Sequence, residues 1–145
     1  MQLEALVMFL TDLARKKKGI FILTLLVYSG LIHLLSSIEG QPGVQLFENQ
    51  DKVEHVIAFG VMACVAWCVL RIHPLFQRAW LWAWCYVAAY GAFDEWHQLF
   101  VPGRYADVAD WMADAIGAAL AICLLEYLHA RGKFTPLQKP LLQAS

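Results

Sequence analysis

This sequence predicts an all-α membrane fold: a single domain over residues 1–145, built as an integral four-helix up-down bundle. The chain is 60% hydrophobic and 16% charged. An ordinary soluble domain is about 45–50% apolar and about 25% charged, so the excess points to a bilayer. Four apolar stretches, residues 19–38, 53–72, 79–100 and 108–128, reach the length of about 20 residues that crosses a hydrocarbon core of about 30 Å. The connections, residues 39–52, 73–78 and 101–107, are short enough to force antiparallel neighbours. The formal net charge of -1 provides no general basic field, which excludes nucleic acid as a partner class.

Taken in order, residues 1–18 open with Leu3, Leu6, Val7, Leu10 and Leu13 at helical spacing. That pattern predicts a short amphipathic helix lying on the inner membrane surface, ahead of Arg15, Lys16, Lys17 and Lys18. The first span is longer than the apolar region of a signal peptide, about 7–15 residues, and no A-x-A site follows it. Basic residues set the orientation. Arg15, Lys16, Lys17, Lys18, Arg71, Arg78, Arg131, Lys133 and Lys139 fall on one side, and only Lys52 and Arg104 fall on the other. Both termini are therefore expected in the cytoplasm, with the loops at 39–52 and 101–107 facing outward. The tail over residues 129–145, with Pro136 and Pro140, reads as a cytoplasmic end. The four cysteines lie inside apolar runs and read as small packing residues. The i, i+4 pair Cys64 and Cys68 is the only spacing resembling half of a soft-metal site.

Apart from Arg71 and Glu126 at inner helix ends, the ionisable residues within or at the mouths of the spans are expected near the outer end. Asp94, Glu95 and Gln98 close the third span. Pro102 and Gly103 turn the chain, and Arg104 follows. Asp107, Asp110 and Asp114 then fall on one helix face at i, i+3, i+7. Asp51, Lys52, Glu54 and His55 open the second span from the same side, with Asp51 and His55 at i, i+4. Left facing lipid, Asp94, Glu95, Asp110 and Asp114 together would cost about 10 kcal/mol. They are therefore expected to converge, with Lys52, His55 and Arg104 as the available cations, on a polar pocket between the second, third and fourth helices.

The ordered elements Asp51-Lys-Val-Glu-His55, Asp94-Glu-Trp-His-Gln98 and Pro102-Gly-Arg104, followed by Asp107, Asp110, Asp114 and Gly117, resemble the VanZ-like family of small membrane proteins. The resemblance spans Asp51 to Gly117. One position is less typical, Asp114, where Asn is often expected. The resemblance implies a multi-pass protein of the bacterial cytoplasmic (inner) membrane with a link to antibiotic resistance, specifically to the glycopeptide teicoplanin. It implies no agreed reaction.

The residues themselves leave several roles open. Asp51, Lys52, His55, Asp94, Glu95, Gln98, Arg104, Asp107, Asp110 and Asp114 are the candidate ligand-binding set, acting on an amphiphilic cell-envelope molecule at the outer face. Glu95, Asp94 and His55 are the candidate acid-base groups if the protein is an enzyme modifying a lipid or wall-precursor head group. The acids alternatively form a structural ion-pair network with Arg104 and Lys52, or hold a divalent metal. No metal and no cofactor is assigned. His55 is read as held by Asp51, or as a simple helix-end histidine. Arg104 is read as a phosphate or carboxylate clamp, or as a partner of Asp107 or Glu95. His97 has no matching partner in the sequence, and His33 reads as a packed or hydrogen-bonded histidine. Trp96 and Trp111 read as interfacial belt residues. There is no Ser or Cys nucleophile with a base, no H-E-x-x-H and no phosphate loop, which weakens the enzyme reading. A structural protein or a small transporter is the remaining alternative.

Overall fold

The computed structural model describes residues 18–40, 46–73 and 75–132, together with residues 5 and 9. The expected amphipathic helix, most of the first basic cluster and the tail beyond residue 132 lie outside the described residues. Within them the chain forms four helices and no strand: α1 (Lys18–Ser36), α2 (Gln50–Ile72), α3 (Ala79–Gln98) and α4 (Val108–Ala130).

Three of the four, α1, α2 and α4, are long and apolar enough to cross a membrane. α3 is a full 20-residue helix but is less apolar than the sequence reading of four equivalent spans implies. Its sequence carries Trp80, Trp82, Trp84, Tyr86, Tyr90 and Trp96, whose rings have polar edges, and ends in Asp94, Glu95, His97 and Gln98. Its polar groups face inward: Asp94, Glu95 and Gln98 are all buried.

The core follows helical periodicity. On α2 the buried positions Phe59, Met62, Ala63, Ala66 and Trp67 recur at three- and four-residue spacing. They pack on Ala83 and Val87 of α3 and on Ala118, Ile122 and Leu125 of α4. The α2–α4 interface is the most extensive in the molecule. It is close because two glycines meet there: a Cβ on Gly117 would lie 2.3 Å from the Val56 carbonyl oxygen, and one on Gly60 would lie 3.3 Å from the Gly117 carbonyl oxygen. Small residues that let backbones approach are the usual means of helix association in lipid.

α1 sits at the periphery. Ile22, Leu23, Leu26, Val27 and Leu34 are exposed, the surface expected of a helix bathed in acyl chains. Its few buried polar groups tie it down. Tyr28 Oη donates to the Ala58 carbonyl at 3.0 Å, and Ser29 Oγ lies 2.8 Å from Tyr86 Oη.

Side-chain pairs give the relative directions. His55 meets Asp114 and Trp67 meets Glu126, so α2 and α4 run the same way. Trp84 reaches the Ala115 carbonyl and Trp111 the Ala88 carbonyl, so α3 opposes α4. The N-terminal ends of α2 and α4 therefore come together with the C-terminal end of α3.

Candidate functional site

That shared end is where the acids collect. Asp114 is fully buried, and Asp94, Glu95, Gln98 and Asp110 are exposed by only 2%, 6%, 5% and 8%. They occupy the same inward stripes as the apolar core: Asp110 and Asp114 continue the Gly117, Ala118 and Ile122 face of α4, and Asp94, Glu95 and Gln98 continue the Val87, Ala88 and Gly91 face of α3. The convergence required by the cost of acids in lipid is thus achieved by helical register alone.

The cluster has two joined parts. In the first, Lys52 Nζ lies 3.0 Å from Asp51 Oδ2, 2.7 Å from Asp107 Oδ2 and 2.6 Å from Asp110 Oδ1. One ammonium thus meets three carboxylates, hydrogen-bonding Asp51 and Asp107 and ion-pairing with Asp110. Asp107 also caps α4, accepting from the Ala109 N–H at 2.8 Å. The hydrogen bond from Lys52, followed by that from the Ala109 amide, holds the Asp107 carboxyl below the usual carboxylate range.

In the second part, His55 Nδ1 lies 2.8 Å from Asp114 Oδ1. His55 stacks on Phe59, with ring centroids 5.9 Å apart and planes within 4°. Glu95 Oε2 accepts from the Asp107 N–H at 2.7 Å, which links the two parts. Gln98 Nε2 donates to Asp94 Oδ2 at 3.2 Å. Four carboxylate oxygens of the cluster have no hydrogen-bond partner among the described residues: Asp94 Oδ1, Glu95 Oε1, Asp110 Oδ1 and Asp114 Oδ2. Of these only Asp110 Oδ1 faces a cation, Lys52 Nζ at 2.6 Å. Space for the Asp114 carboxylate is provided by Gly91, where a Cβ would lie 2.6 Å from Asp114 Oδ2.

Several sequence readings change here. His55 is held by Asp114, across helices, and not by Asp51 on its own helix; Asp51 belongs to Lys52. Sequence spacing sees only neighbours on one helix, and the cross-helix partner is closer to the imidazole. Arg104 pairs with neither Asp107 nor Glu95. Its Nε donates to the Ile38 carbonyl at 3.2 Å and its Nη2 to the Leu35 carbonyl at 3.4 Å, so it closes the C-terminal end of α1. The turn that carries it docks there, with the Gly40 N–H donating to the Pro102 carbonyl at 3.3 Å. Gly103, at φ 76, supplies the left-handed residue of the turn. His97, unpartnered in the sequence reading, has Nε2 2.9 Å from Ser37 Oγ and its ring 4.2 Å from that of His33. Trp111 donates to the Ala88 carbonyl at 3.0 Å and so packs helices in addition to edging the bundle.

A second polar junction, at the opposite end of α2 and α4, was not anticipated as a unit. Trp67 Nε1 donates to Glu126 Oε1 at 2.7 Å, Arg71 Nη1 lies 3.6 Å from the same oxygen, and Arg71 also contacts His129. The signal was available, because Trp67 and Arg71, like Glu126 and His129, are three or four residues apart. Cys68 is buried in the apolar core, Cys64 is half-buried, and Cys85 and Cys123 are exposed; all four are free thiols.

The fold and site define a class: an all-helical membrane protein that buries a cluster of acids, with one lysine and one histidine, at one end of three packed helices. The chain belongs to the VanZ/LLP1 family, whose model matches residues 9–129. No curated protein and no solved structure matches it.

Proposed function

We propose that this polar cluster faces outward across a bacterial cytoplasmic membrane and engages the head group of an amphiphilic cell-envelope molecule. Through that contact the protein would lower susceptibility to teicoplanin. The observation that carries the reading is the unequal satisfaction of the acids. Lys52 hydrogen-bonds Asp51 and Asp107 and ion-pairs with Asp110 Oδ1, but Asp94, Glu95 and Asp114 each keep a buried oxygen with neither a hydrogen-bond donor nor an ion-pair partner among the described residues. A network serving only to fix packing would be expected to close on itself, because a buried acceptor left unmade costs about 1–3 kcal/mol and more when charged. Groups kept open at the level of lipid head groups suit a polar ligand.

The multi-pass orientation with both ends in the cytoplasm belongs to the same proposal and rests on the distribution of Lys and Arg. A second reading, a membrane enzyme acting on a head group, is favoured by one contact. His55 is oriented by Asp114, the arrangement that readies an imidazole as a general base, and Glu95 stands in the same group as a candidate acid. Arg104, occupied with the carbonyls of α1, takes the smaller role of fixing the turn in both readings.

The test is Glu95→Gln, which keeps shape and removes charge, expressed in a teicoplanin-sensitive host. The expected result is normal accumulation in the membrane and loss of most of the parent's protection. Undiminished protection at equal accumulation would refute the proposal.

A further inference from the structure

Neither reading above needs a metal ion, yet one part of the cluster is built like a metal site. His55, Glu95 and Asp114 each present a ligand atom, and these three atoms all lie within 4.8 Å of one another. They come from three different helices, α2, α3 and α4, so the triad exists only in the assembled bundle.

Two observations separate this triad from an ordinary acidic patch. Asp114 is fully buried and Glu95 is 6% exposed, yet Asp114 Oδ2 and Glu95 Oε1 find no donor among the described residues. Close to Asp114 Oδ2 the chain has Gly91, and a Cβ there would intrude to 2.6 Å. The backbone is thus cut away beside an oxygen that has no partner. Charge points the same way. Two buried carboxylates share one imidazole, while the nearby Lys52 is occupied by Asp51, Asp107 and Asp110. An uncompensated buried charge is costly, and buried charges are normally paired or coordinate metals.

We propose that His55, Glu95 and Asp114 bind one divalent transition-metal ion of the Zn2+ type. The donor set of one nitrogen and two carboxylate oxygens suits Zn2+, Mn2+ and Fe2+, and contains no thiolate that would select a soft ion. Bonds of about 2.0–2.1 Å place adjacent ligands of one ion roughly 3 Å apart. The 2.8 Å separation of His55 Nδ1 and Asp114 Oδ1 is already near that spacing, and with all three ligand atoms within 4.8 Å of one another loading asks the Glu95 carboxylate to close in by at most on the order of 2 Å. Three protein ligands leave a coordination position for water or for an oxygen of a ligand, the arrangement of a reactive rather than a purely structural site. His55 keeps 19% of its side-chain surface exposed, which leaves an edge for the ion to enter. Binding requires the imidazole nitrogen and both carboxylates to be free of protons, so affinity rises with pH.

The test uses the full chain, purified in detergent and stripped with chelator, with no amphiphile added, so its outcome is independent of the proposed function. Titration with Co2+ as a spectroscopic substitute, and with Zn2+ by calorimetry, is expected to give one ion per chain and visible absorption of an N,O-coordinated Co2+ site. Asp114→Asn and Glu95→Gln are each expected to weaken Zn2+ binding on the order of 100-fold or more, beyond the effect of losing an outer-sphere partner. Glu39→Gln, an exposed loop acid, is the control and should leave affinity unchanged. The wild-type Co2+ spectrum decides the matter even if a variant fails to fold. Absence of stoichiometric binding, or binding that Asp114→Asn and Glu95→Gln leave intact, overturns the proposal.

Discussion

At the scale of single residues, Lys52 and Asp114 show how a burial pattern becomes an electrostatic one. Lys52 is 26% exposed in its side chain and touches three acids. Lys52→Met would keep the stem and remove the charge, leaving Asp51, Asp107 and Asp110 to repel one another. A cost of about 1–3 kcal/mol is expected, between that of a surface pair and that of a buried pair with one partner removed. Thermal unfolding in detergent at neutral pH measures it. The same contact sets a direction with pH. Because Lys52 and the Ala109 amide lower the Asp107 pKa in the folded chain, their stabilisation is present above the ordinary carboxylate pKa and fades as pH falls through the lowered value. Lys52→Met should therefore lose less stability on acidification than the parent, and an equal loss would show that the contact is not made. These partnerships were only partly legible in the sequence. The acids could be placed at one end because an acid in lipid is expensive. Which carboxylate meets Lys52 and which meets His55 depends on the rotation of α2 against α4, and that is fixed by Gly60 and Gly117, not by the charges.

At the scale of helices, the three that build the cluster are set by glycine and alanine positions on their buried stripes. Gly117 and Gly91 lie on facing elements but do different things. A methyl group on Gly117 would meet the backbone of Val56, at 2.3 Å from its oxygen and 2.8 Å from its Cα. Backbone cannot rotate away, so Gly117→Ala must push α2 and α4 apart, at about 1–3 kcal/mol or more for overpacking. A methyl on Gly91 would meet Asp114 Oδ2 at 2.6 Å, which can turn, and Asp114 Cβ at 3.2 Å, which asks a smaller shift of the helices. Gly91→Ala should therefore unfold less far below the parent than Gly117→Ala, while displacing Asp114 from His55. Unfolding midpoints in detergent distinguish the two, and equal midpoints would contradict the packing described. The sequence located all four helices through apolar length, and their boundaries fall within a few residues of those expected. It overstated the apolar character of α3, because counting aromatic residues as membrane-filling hides their polar edges.

At the scale of the whole molecule, the apolar exterior and the polar end divide the labour. The exposed Ile, Leu and Val side chains of α1 and the Trp side chains of α3 give the bundle a lipid-facing surface. α2 and α4 hold their polar groups at the two ends, with the core of Phe59, Met62, Trp67 and Val87 between them. The junction of Trp67, Arg71, Glu126 and His129 at the opposite end is closed by mutual contacts, and the cluster around His55, Glu95 and Asp114 keeps unpartnered oxygens among the described residues. That contrast is the basis for placing activity at the latter end. It is tested most directly by histidine-labelled nuclear magnetic resonance of the purified chain in detergent during titration with short-chain phosphatidylglycerol. A saturable shift of the His55 imidazole, with His129 unmoved and the response abolished in Glu95→Gln, is the predicted result. No saturable response at His55, or one that persists unchanged in Glu95→Gln, would contradict the assignment of the polar cluster as the binding site.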